Sequence, residues 1–525
     1  MNLTAMNTKP IKVFKDAGYL IRLSKLTESQ VEDAHDRFTH ALYDEKACNK
    51  CDQLEYRHSE MCDNCSSFGG FRRLSKVVTK RTKDNDEIEM LSLPYGATDR
   101  VRSWLKDCGF AYQVVDAHPE PKPFKHRIKF IGKAYPWQEE AVPILLKKKK
   151  GIIKAPPRSG KTVFAAKAIC EIQCKTLIIA SQIDWLKQFR ETFVGSETQD
   201  RFTNCKEKQI KLCKTYEDFR DTDICLTTFS KFMSKSGKKL LRRIAKFYTV
   251  VVIDEVHYAP ALETSRILAH FNATYRFGLS GTVERKNTVE INIAHDLVGP
   301  IIYSAQVERL RPKVSLLFTD VKIDVNGRSS TAFSGFVTRI EKHSKRVKLV
   351  AAKVVEMVKR GHMVMVPVTR IKSVALYVNA INELMDERIA YPFFGGLRKD
   401  VRENTIAMAR SYEAKVLVGN IRLLSTGINI PRASCIIDRV TPTSNIPSCD
   451  QRVSRILTPM NGKPNPELVM LLDESDAMRA CLRNEWWNCI KPRHNPILSS
   501  QDYRNLVRWL AKKQRDSEVD IDGGM

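Results

Sequence analysis

From about residue 130 onward, hydrophobic residues come in short, β-branched runs separated by longer stretches with helical periodicity. The first runs read GIIKA, TLIIAS, DICLTT, TVVVIDE and YRFGLSGT. A second series begins near residue 345 and reads HMVMVPVT, IAYPFFGG, AKVLVGN, ASCIIDRV and LVMLLDE. Apolar strands that alternate with helices are typical of βαβ units, in which a parallel sheet is covered on both faces. We therefore predict an α/β protein with two tandem parallel-sheet domains.

The first 125 residues have a different, more polar pattern. Thr27, with Gln30 three residues later, has the form of a capping box and predicts the start of a helix. Further on, the segments IEMLSLPYG, DRVRSWLKDCG and AYQVVDA predict a strand, a helix and a returning strand. Three prolines between residues 119 and 123 predict a stiff linker. The sequence thus predicts a small α+β domain ahead of the two sheets.

The length of the chain is consistent with several domains, because single hydrophobic cores stop growing well below 525 residues. After about residue 480 the pattern is amphipathic, and this segment contains Trp486, Trp487 and Trp509. The predicted domains are an N-terminal accessory domain (1–125), two sheet domains (126–310 and 311–480) and a C-terminal helical tail (481–525).

The composition, with 43% hydrophobic and 28% charged residues, is that of a soluble globular protein. No apolar run is long enough to span a bilayer, and the N-terminus lacks the pattern of a secretory signal. We expect a cytoplasmic location, in the host cell if the protein is viral, and no membrane partner. The formal net charge of +27 favours a polyanion such as nucleic acid, although an unspecific basic surface would give the same number.

Four of the fourteen cysteines form a C-x2-C-x10-C-x2-C pattern, and the other ten are scattered singly. The four are Cys48, Cys51, Cys62 and Cys65. Two such knuckles match the tetrahedral ligand set of structural Zn²⁺, so we predict a zinc site that does not need His58. The zinc either stabilises a loop only or positions neighbouring basic residues for contact with a phosphate backbone. Those neighbours are Lys50, Arg57, Arg72 and Arg73.

The segment GIIKAPPRSGKTVFAAKAI places Ser159, Gly160, Lys161 and Thr162 between a predicted strand and a predicted helix. Backbone N–H groups at such a helix start bind phosphate, the lysine reaches the β- and γ-phosphates of ATP, and the threonine hydroxyl binds Mg²⁺. Ala155 stands where the first glycine of this motif is usual. Taken alone, the segment is also compatible with an ordinary turn.

About ninety residues later, the apolar strand TVVVIDE ends in Asp254 and Glu255. In combination with the upstream phosphate loop, Asp254 is a candidate ligand of Mg²⁺. Glu255 is a candidate base for the water that attacks the γ-phosphate. By itself, such a pair is often no more than a helix cap.

The ordered motifs of the first sheet resemble those of superfamily 2 helicases. DEVH, which ends in His257, resembles the DExH box, and YPWQ resembles the segment whose glutamine, here Gln138, recognises adenine. LSGT resembles the motif that couples hydrolysis to strand movement through Ser280 and Thr282. ASQIDWLKQF and LTTFSKF resemble the motifs that contact a nucleic-acid backbone. The contacting residues implied there are Ser181, Gln182, Thr227 and Thr228.

The second sheet continues the resemblance. VMVPVTR resembles motif IV with Thr369 and Arg370, and VLVGNIRLLSTGINIPRASCII resembles motif V with Gly427 facing the nucleotide. DQRVSRIL resembles motif VI, which implies a coupling role for Gln451. It makes Arg452 and Arg455 candidate arginine fingers.

Three residues depart from the family pattern. Asn429 replaces the usual aspartate of motif V, Ser454 replaces the glycine of motif VI, and Thr458 stands where a further arginine is common.

The resemblance covers residues 130–475 and leans towards the XPB and phage UvsW-type branch-migration helicases. It implies two RecA-like motor domains and an ATP- and Mg²⁺-dependent helicase or translocase acting on forked or branched DNA. By analogy, segment 88–116 resembles the small domain that precedes the motor in phage branch-migration helicases. Two alternatives stay open: an RNA-directed or transcription-associated ATPase, and a nucleic-acid-binding scaffold without catalysis. A monomer is compatible with the sequence.

Overall fold

The computed structural model of the chain forms two compact units, Met1–Val307 and Glu308–Met525. The ranges that it describes are 10–41, 71–81, 84–157, 159–196, 200–281, 288–307, 310–325, 330–421, 423–424, 430–438 and 446–511.

The first unit begins with a small α+β domain, as predicted. Its elements are β1 (Ile11–Lys15), β2 (Gly18–Arg22), α1 (Glu28–Arg37), β3 (Thr39–Ala41), β4 (Phe71–Arg73), β5 (Lys76–Arg81), β6 (Glu87–Pro94), α2 (Thr98–Asp107) and β7 (Tyr112–Asp116). The main sheet has the order β5-β6-β2-β1-β7 and is antiparallel except for the β1–β7 pair. The capping box predicted for α1 is present, with the Thr27 hydroxyl accepting from the amide of Gln30.

The rest of the first unit is the first predicted parallel-sheet domain. Its elements are α3 (Pro136–Lys148), β8 (Lys150–Lys154), α4 (Lys161–Ile172), β9 (Thr176–Ala180), α5 (Ile183–Val194), β10 (Ile210–Leu212), α6 (Tyr216–Asp221), β11 (Ile224–Thr228), α7 (Lys235–Ile244), β12 (Val250–Asp254), α8 (Leu262–Leu268), β13 (Tyr275–Ser280), α9 (Thr288–Val298) and β14 (Ile301–Ser304). The strand order is β10-β11-β9-β12-β13-β8-β14, with all pairs parallel. The loops after β8, β9, β11, β12 and β13 therefore meet at one edge, where α/β folds bind their ligands.

The small domain packs against the opposite, amino-terminal edge of this sheet. Arg276, at the start of β13, is fully buried, and it donates to the carbonyls of Leu297 and Phe271. The guanidinium also lies 4.3 Å from the ring centroid of Tyr95, just after β6. Burial lowers the pKa of Arg276 to about 10. This cation–π contact and the Tyr95 hydroxyl, which donates to the Ala273 carbonyl at 3.0 Å, hold the two domains together.

The second unit contains the second predicted parallel-sheet domain. Its elements are β15 (Lys313–Phe318), α10 (Ser330–Lys342), α11 (Ser344–Lys359), β16 (Met363–Val368), α12 (Ile371–Met385), β17 (Ala390–Phe393), α13 (Lys399–Ser411), β18 (Val416–Asn420), β19 (Ala433–Asp438), α14 (Ile446–Ser454), β20 (Glu467–Leu472), α15 (Asp476–Glu485), a π-helical turn (Trp486–Ile490), α16 (Lys491–His494) and α17 (Ser500–Ala511). The sheet has the all-parallel order β15-β20-β19-β16-β18-β17. The α/β fold predicted from the two series of apolar runs is confirmed.

The helices after residue 480 are part of the hydrophobic core of the second unit. Trp486 and Trp509 are buried in the same cluster as residues of β19 and β20. Among the residues described, no helix combines the length and hydrophobicity needed to cross a bilayer.

The contact between the small domain and the first sheet gives a stability prediction at Gly96. Its amide donates to the Asp296 carbonyl at 2.7 Å. A Cβ here would lie 2.6 Å from the Gly299 nitrogen and closer still to the His295 carbonyl oxygen. Since backbone cannot yield as a flexible side chain does, we expect Gly96→Ala to lower the free energy of unfolding by about 1–3 kcal/mol.

Thermal unfolding and limited proteolysis of the junction would measure this effect. Gly395→Ala is the matched control, because a Cβ there meets no described atom within 4 Å. Equal melting temperatures for Gly96→Ala and wild type would contradict the close packing at this junction.

Candidate active site

The phosphate loop lies between β8 and α4, as the sequence predicts. Gly160 is the N-cap of α4 and has φ +86°, in the left-handed region that favours glycine. Lys161 is the first residue of the helix, so its side chain and the free amides of the first turn face the same space. This arrangement can bind the phosphates of a nucleotide.

Two side chains of helix α3 donate hydrogen bonds to the backbone of the phosphate loop. Trp137 Nε1 donates to the Ser159 carbonyl at 3.1 Å, and Gln138 Nε2 donates to the Gly160 carbonyl at 2.9 Å. The Gln138 carboxamide oxygen accepts from the Tyr135 amide at 2.9 Å. Gln138 is fully buried, so in this structure both ends of its carboxamide bond to backbone. Gln138 thus positions the phosphate loop in this structure, and its contact with adenine stays a prediction.

Asp254 and Glu255 lie at the carboxyl end of β12, next to the phosphate loop. Asp254 is the last residue of the strand, and Glu255 turns the chain with a left-handed φ of +48°. Lys161 Nζ lies 3.9 Å from Glu255 Oε1. Burial, reinforced by the Glu255 carboxylate, raises the pKa of Asp254 to about 7. The two carboxylates and the lysine thus form one compact charged cluster.

His257 connects this cluster to the end of β13. Its Nδ1 atom lies 3.1 Å from Glu255 Oε2 and 3.0 Å from the Ser280 hydroxyl. The imidazole is almost completely buried, with a side-chain exposure of 2%. His257 therefore connects the Glu255 carboxylate to the Ser280 hydroxyl through buried contacts.

The residues present fit a magnesium ion. Mg²⁺ prefers oxygen ligands, and a buried carboxylate whose pKa is raised by burial would be stabilised in its charged form by a cation. The Asp254 carboxylate and the Thr162 hydroxyl, in the first turn of α4, are the oxygen donors that would hold the ion. Bound there, the ion would neutralise charge on the nucleotide phosphates.

The second unit changes the interpretation of motif VI. Arg452, in α14, is 2% exposed, and its guanidinium donates to Asp438 at 2.6 Å and to Glu485 at 3.0 Å. In this structure the two buried carboxylates hold the guanidinium in place. These contacts assign Arg452 a structural role within its own unit, and its role as an arginine finger stays a prediction. Arg455 is half-buried and is the other candidate.

Two family models match the chain. The model of the "Type III restriction enzyme, res subunit" matches residues 131–285, and that of the "Helicase conserved C-terminal domain" matches residues 345–457. The first match contains the phosphate loop and the carboxylates, and the second contains motif VI. The chain belongs to helicase superfamily 2.

Two curated relatives of this helicase family illustrate the similarity. The "DNA 3'-5' translocase XPB2" of Sulfurisphaera tokodaii is 28% identical over 242 residues, which are 46% of this chain and 50% of that protein. "Probable helicase D10" of Escherichia phage T5 is 24% identical over 406 residues, which are 73% of this chain and 82% of that protein. The chain thus spans about half the length of the first of these relatives.

A solved structure supports the fold. A fragment described as an HsdR subunit of a type I restriction enzyme from Vibrio vulnificus YJ016 has a TM-score of 0.50 and 14% identity, covering 70% of this chain and 68% of that one. Together with the two helicase domains, this supports two RecA-like sheets.

The structure brings three of the four residues predicted to contact nucleic acid in the first helicase domain to an accessible position. Ser181 and Gln182 follow β9, where Gln182 is exposed at the start of α5. Thr228 ends β11, and its hydroxyl shares a 2.8 Å hydrogen bond with that of Ser230. Thr227 is buried, so its side chain is not exposed for contact with a nucleic acid in this structure.

In the second helicase domain, Arg370 is engaged within its own unit. Its guanidinium donates to the Thr338 hydroxyl at 3.1 Å and to the Ser334 hydroxyl at 2.6 Å. The amides of Thr369 and Arg370 donate to the Glu341 carboxylate at 2.8 and 3.1 Å. This motif IV pair therefore fixes α10 to the end of β16. Gln451 is half-buried in α14.

Several predicted site residues lie outside the described ranges. They are Cys48, Cys51, Cys62 and Cys65 of the zinc motif, with His58, and Thr282, Gly427 and Asn429 of the helicase motifs. Their roles stay predictions.

Sequence reasoning missed Tyr135, which precedes the predicted glutamine. Tyr135 is 57% exposed although its ring borders the phosphate loop, at 3.2 Å from the position of a Cβ on Gly160. An exposed aromatic ring beside a nucleotide site can stack on a base. The signal available in the sequence was an aromatic residue directly before Pro136, which starts α3.

Lys161→Ala tests the phosphate loop. Removal of the ammonium group from the first turn of α4 should lower kcat for ATP hydrolysis by about 10²–10³-fold, because charge on the transferring phosphate loses its main side-chain cation. Lys167→Ala, on the same helix, is the control, since its ammonium pairs with Glu139 at 3.1 Å instead of facing the loop. Unchanged turnover in Lys161→Ala would refute the assignment.

The two motif VI arginines should respond in opposite ways to replacement by methionine. Arg452→Met leaves Asp438 and Glu485 buried without their shared cation, so we expect a loss of about 3–5 kcal/mol in the free energy of unfolding. Arg455→Met should leave the melting temperature close to that of wild type and lower kcat for ATP hydrolysis by about 10³-fold or more. A stable Arg452→Met with lost turnover would reverse this assignment.

Proposed function

We propose that the chain is an ATP-dependent DNA helicase or translocase that remodels forked or branched DNA. The observation that carries the proposal is the continuous contact from Lys161 through Glu255 and His257 to Ser280. It links the phosphate loop to the carboxyl end of β13, which is where coupling between hydrolysis and strand movement is expected. A binding scaffold without catalysis would need neither this lysine nor this pair of carboxylates.

Each residue of the cluster has a role in the proposed reaction. The first turn of α4 and Lys161 bind the β- and γ-phosphates of ATP. Glu255 accepts a proton from the attacking water, and His257 holds the Glu255 carboxylate in place from one side. Arg455, in the segment that resembles motif VI, stays the predicted arginine finger. Because His257 also contacts Ser280, loss of the γ-phosphate changes the environment of the loop after β13.

A basic cleft in the first unit supports a nucleic-acid substrate. The cleft, of about 620 Å³, lies between the small domain and the sheet. Its cations are Lys15, Arg102, Lys147, Lys148 and Lys150, and Asp99 is the carboxylate among its lining residues. Burial, reinforced by Lys15, lowers the pKa of Lys150 to about 7. A polyanion would relieve this repulsion, and the net charge of +27 acts in the same direction.

The preference for DNA and for branched structures is the finer part of the proposal. The XPB2 relative is described as a DNA translocase, and the basic cleft beside the small domain would engage one arm of a junction. We propose that the accessory domain ends near residue 125, the motors span 126–310 and 311–480, and a helical tail follows. The zinc motif belongs to the accessory domain, and the location is cytoplasmic.

ATPase and strand-displacement assays across a panel of nucleic acids test this proposal. We expect stimulation of ATP hydrolysis by forked and four-way DNA above that by linear duplex or RNA, and displacement that requires ATP. Lys161→Ala serves as the control that binds without turnover. Stimulation by RNA alone would favour the RNA-directed alternative and reject the DNA proposal.

A further inference from the structure

A buried group of three side chains with metal-binding donors lies in the second unit. The group consists of Asp450 in α14, Cys489 in the π-helical turn and His494 at the end of α16. One ligand atom from each lies within 4.8 Å of the other two. All three residues are buried, with 2%, 0% and 4% exposure respectively. Two of the residues come from the C-terminal helices and one comes from motif VI.

The distance between the His494 imidazole and the Asp450 carboxylate is compatible with two ligands of one metal ion. His494 Nε2 lies 3.2 Å from Asp450 Oδ1. Within the described part of the chain, neither ring nitrogen of His494 makes a well-formed hydrogen bond. Two ligands that share a tetrahedral ion at bond lengths of about 2.0–2.1 Å are separated by about 3.3 Å. The N–O distance therefore matches the edge of a coordination tetrahedron.

The surroundings of the carboxylate agree with this interpretation. The other Asp450 oxygen, Oδ2, accepts from Arg493 at 3.3 Å. Carboxylates that bind metals are commonly fixed by a second hydrogen bond of this kind, which orients the other oxygen towards the ion. Arg493 thus holds Asp450 in place and leaves Oδ1 facing His494.

We propose that Asp450, Cys489 and His494 bind one Zn²⁺ ion. A thiolate, an imidazole and a carboxylate are the three donor types that zinc accepts in proteins, and the mixture of soft and hard ligands disfavours Mg²⁺ or Ca²⁺. Binding replaces the proton of the Cys489 thiol by the metal and releases it to solvent. The thiol of Cys449 contacts that of Cys489 and is a further donor close to the site.

A metal ion at this site would stabilise the position of motif VI. Asp450 lies two residues before Arg452 and five before Arg455. An ion shared by α14 and the C-terminal helices would fix motif VI from the side opposite the Asp438 contact. The proposal does not depend on which nucleic acid the helicase acts on.

Metal content of the untagged, full-length protein, purified under reducing conditions, provides the test. Cys489→Ala and His494→Ala should each contain one zinc fewer per chain than wild type. Cys435→Ala is the matched control, because Cys435 is an equally buried thiol of the same unit, in β19. Cys62→Ser reports separately on the predicted N-terminal zinc motif. Zinc content unaffected by both Cys489→Ala and His494→Ala would overturn the proposal.

A second measurement keeps the test decisive if the alanine variants fail to fold. Cys62→Ser protein, stripped of metal and titrated with Co²⁺ alone, should take up one equivalent and develop a thiolate-to-cobalt charge-transfer band. Excess Zn²⁺ should then abolish this band. Absence of the band in folded Cys62→Ser protein would refute the site.

Discussion

The catalytic cluster of the first unit depends on a sharp backbone turn at Glu255. Strand β12 has to end at Asp254 for that carboxylate to stay at the sheet edge, and the next residue adopts a left-handed φ of +48°. For a non-glycine residue this conformation costs about 1–2 kcal/mol. The contacts of Glu255 with Lys161 and His257 stabilise the turn. Glu255 therefore has both the strained backbone and a candidate catalytic carboxylate. The turn fixes this carboxylate and that of Asp254, which have different roles.

The two units hold buried arginines by different means. In the second unit, Arg346 donates to Asp473 at 3.0 Å, and Arg452 is shared by Asp438 and Glu485. In the first unit, Arg276 donates to backbone carbonyls and lies against the Tyr95 ring. Buried ion pairs contribute little net stability, but they are costly to break. The pairs of Arg452 thus fix motif VI within its own unit, whereas Arg276 connects a sheet to an accessory domain.

In the two parallel sheets, the sequence predicted the central strands better than the edge strands. All ten apolar runs correspond to strands, because a strand buried on both faces has a nearly continuous apolar sequence. In these two parallel sheets, the strands without such a run are β10, β14 and β15, and all three lie at sheet borders. The active site was also predicted only in part. Motif spacing located Lys161, Asp254 and Glu255, but it could not distinguish buried Arg452 from half-buried Arg455, because exposure depends on partners distant in sequence.

Of the residues that depart from the family pattern, Ser454 lies in a buried environment. Ser454 is 3% exposed, and its hydroxyl has no hydrogen-bond partner among the described residues. A buried hydroxyl in that state costs about 1–3 kcal/mol. Ser454 lies between Arg452, which two carboxylates hold in place, and the half-buried Arg455. The cost therefore falls on the packing of α14. The ion pairs on one side of α14 and the Asp450 cluster on the other allow the helix to keep its position despite this cost.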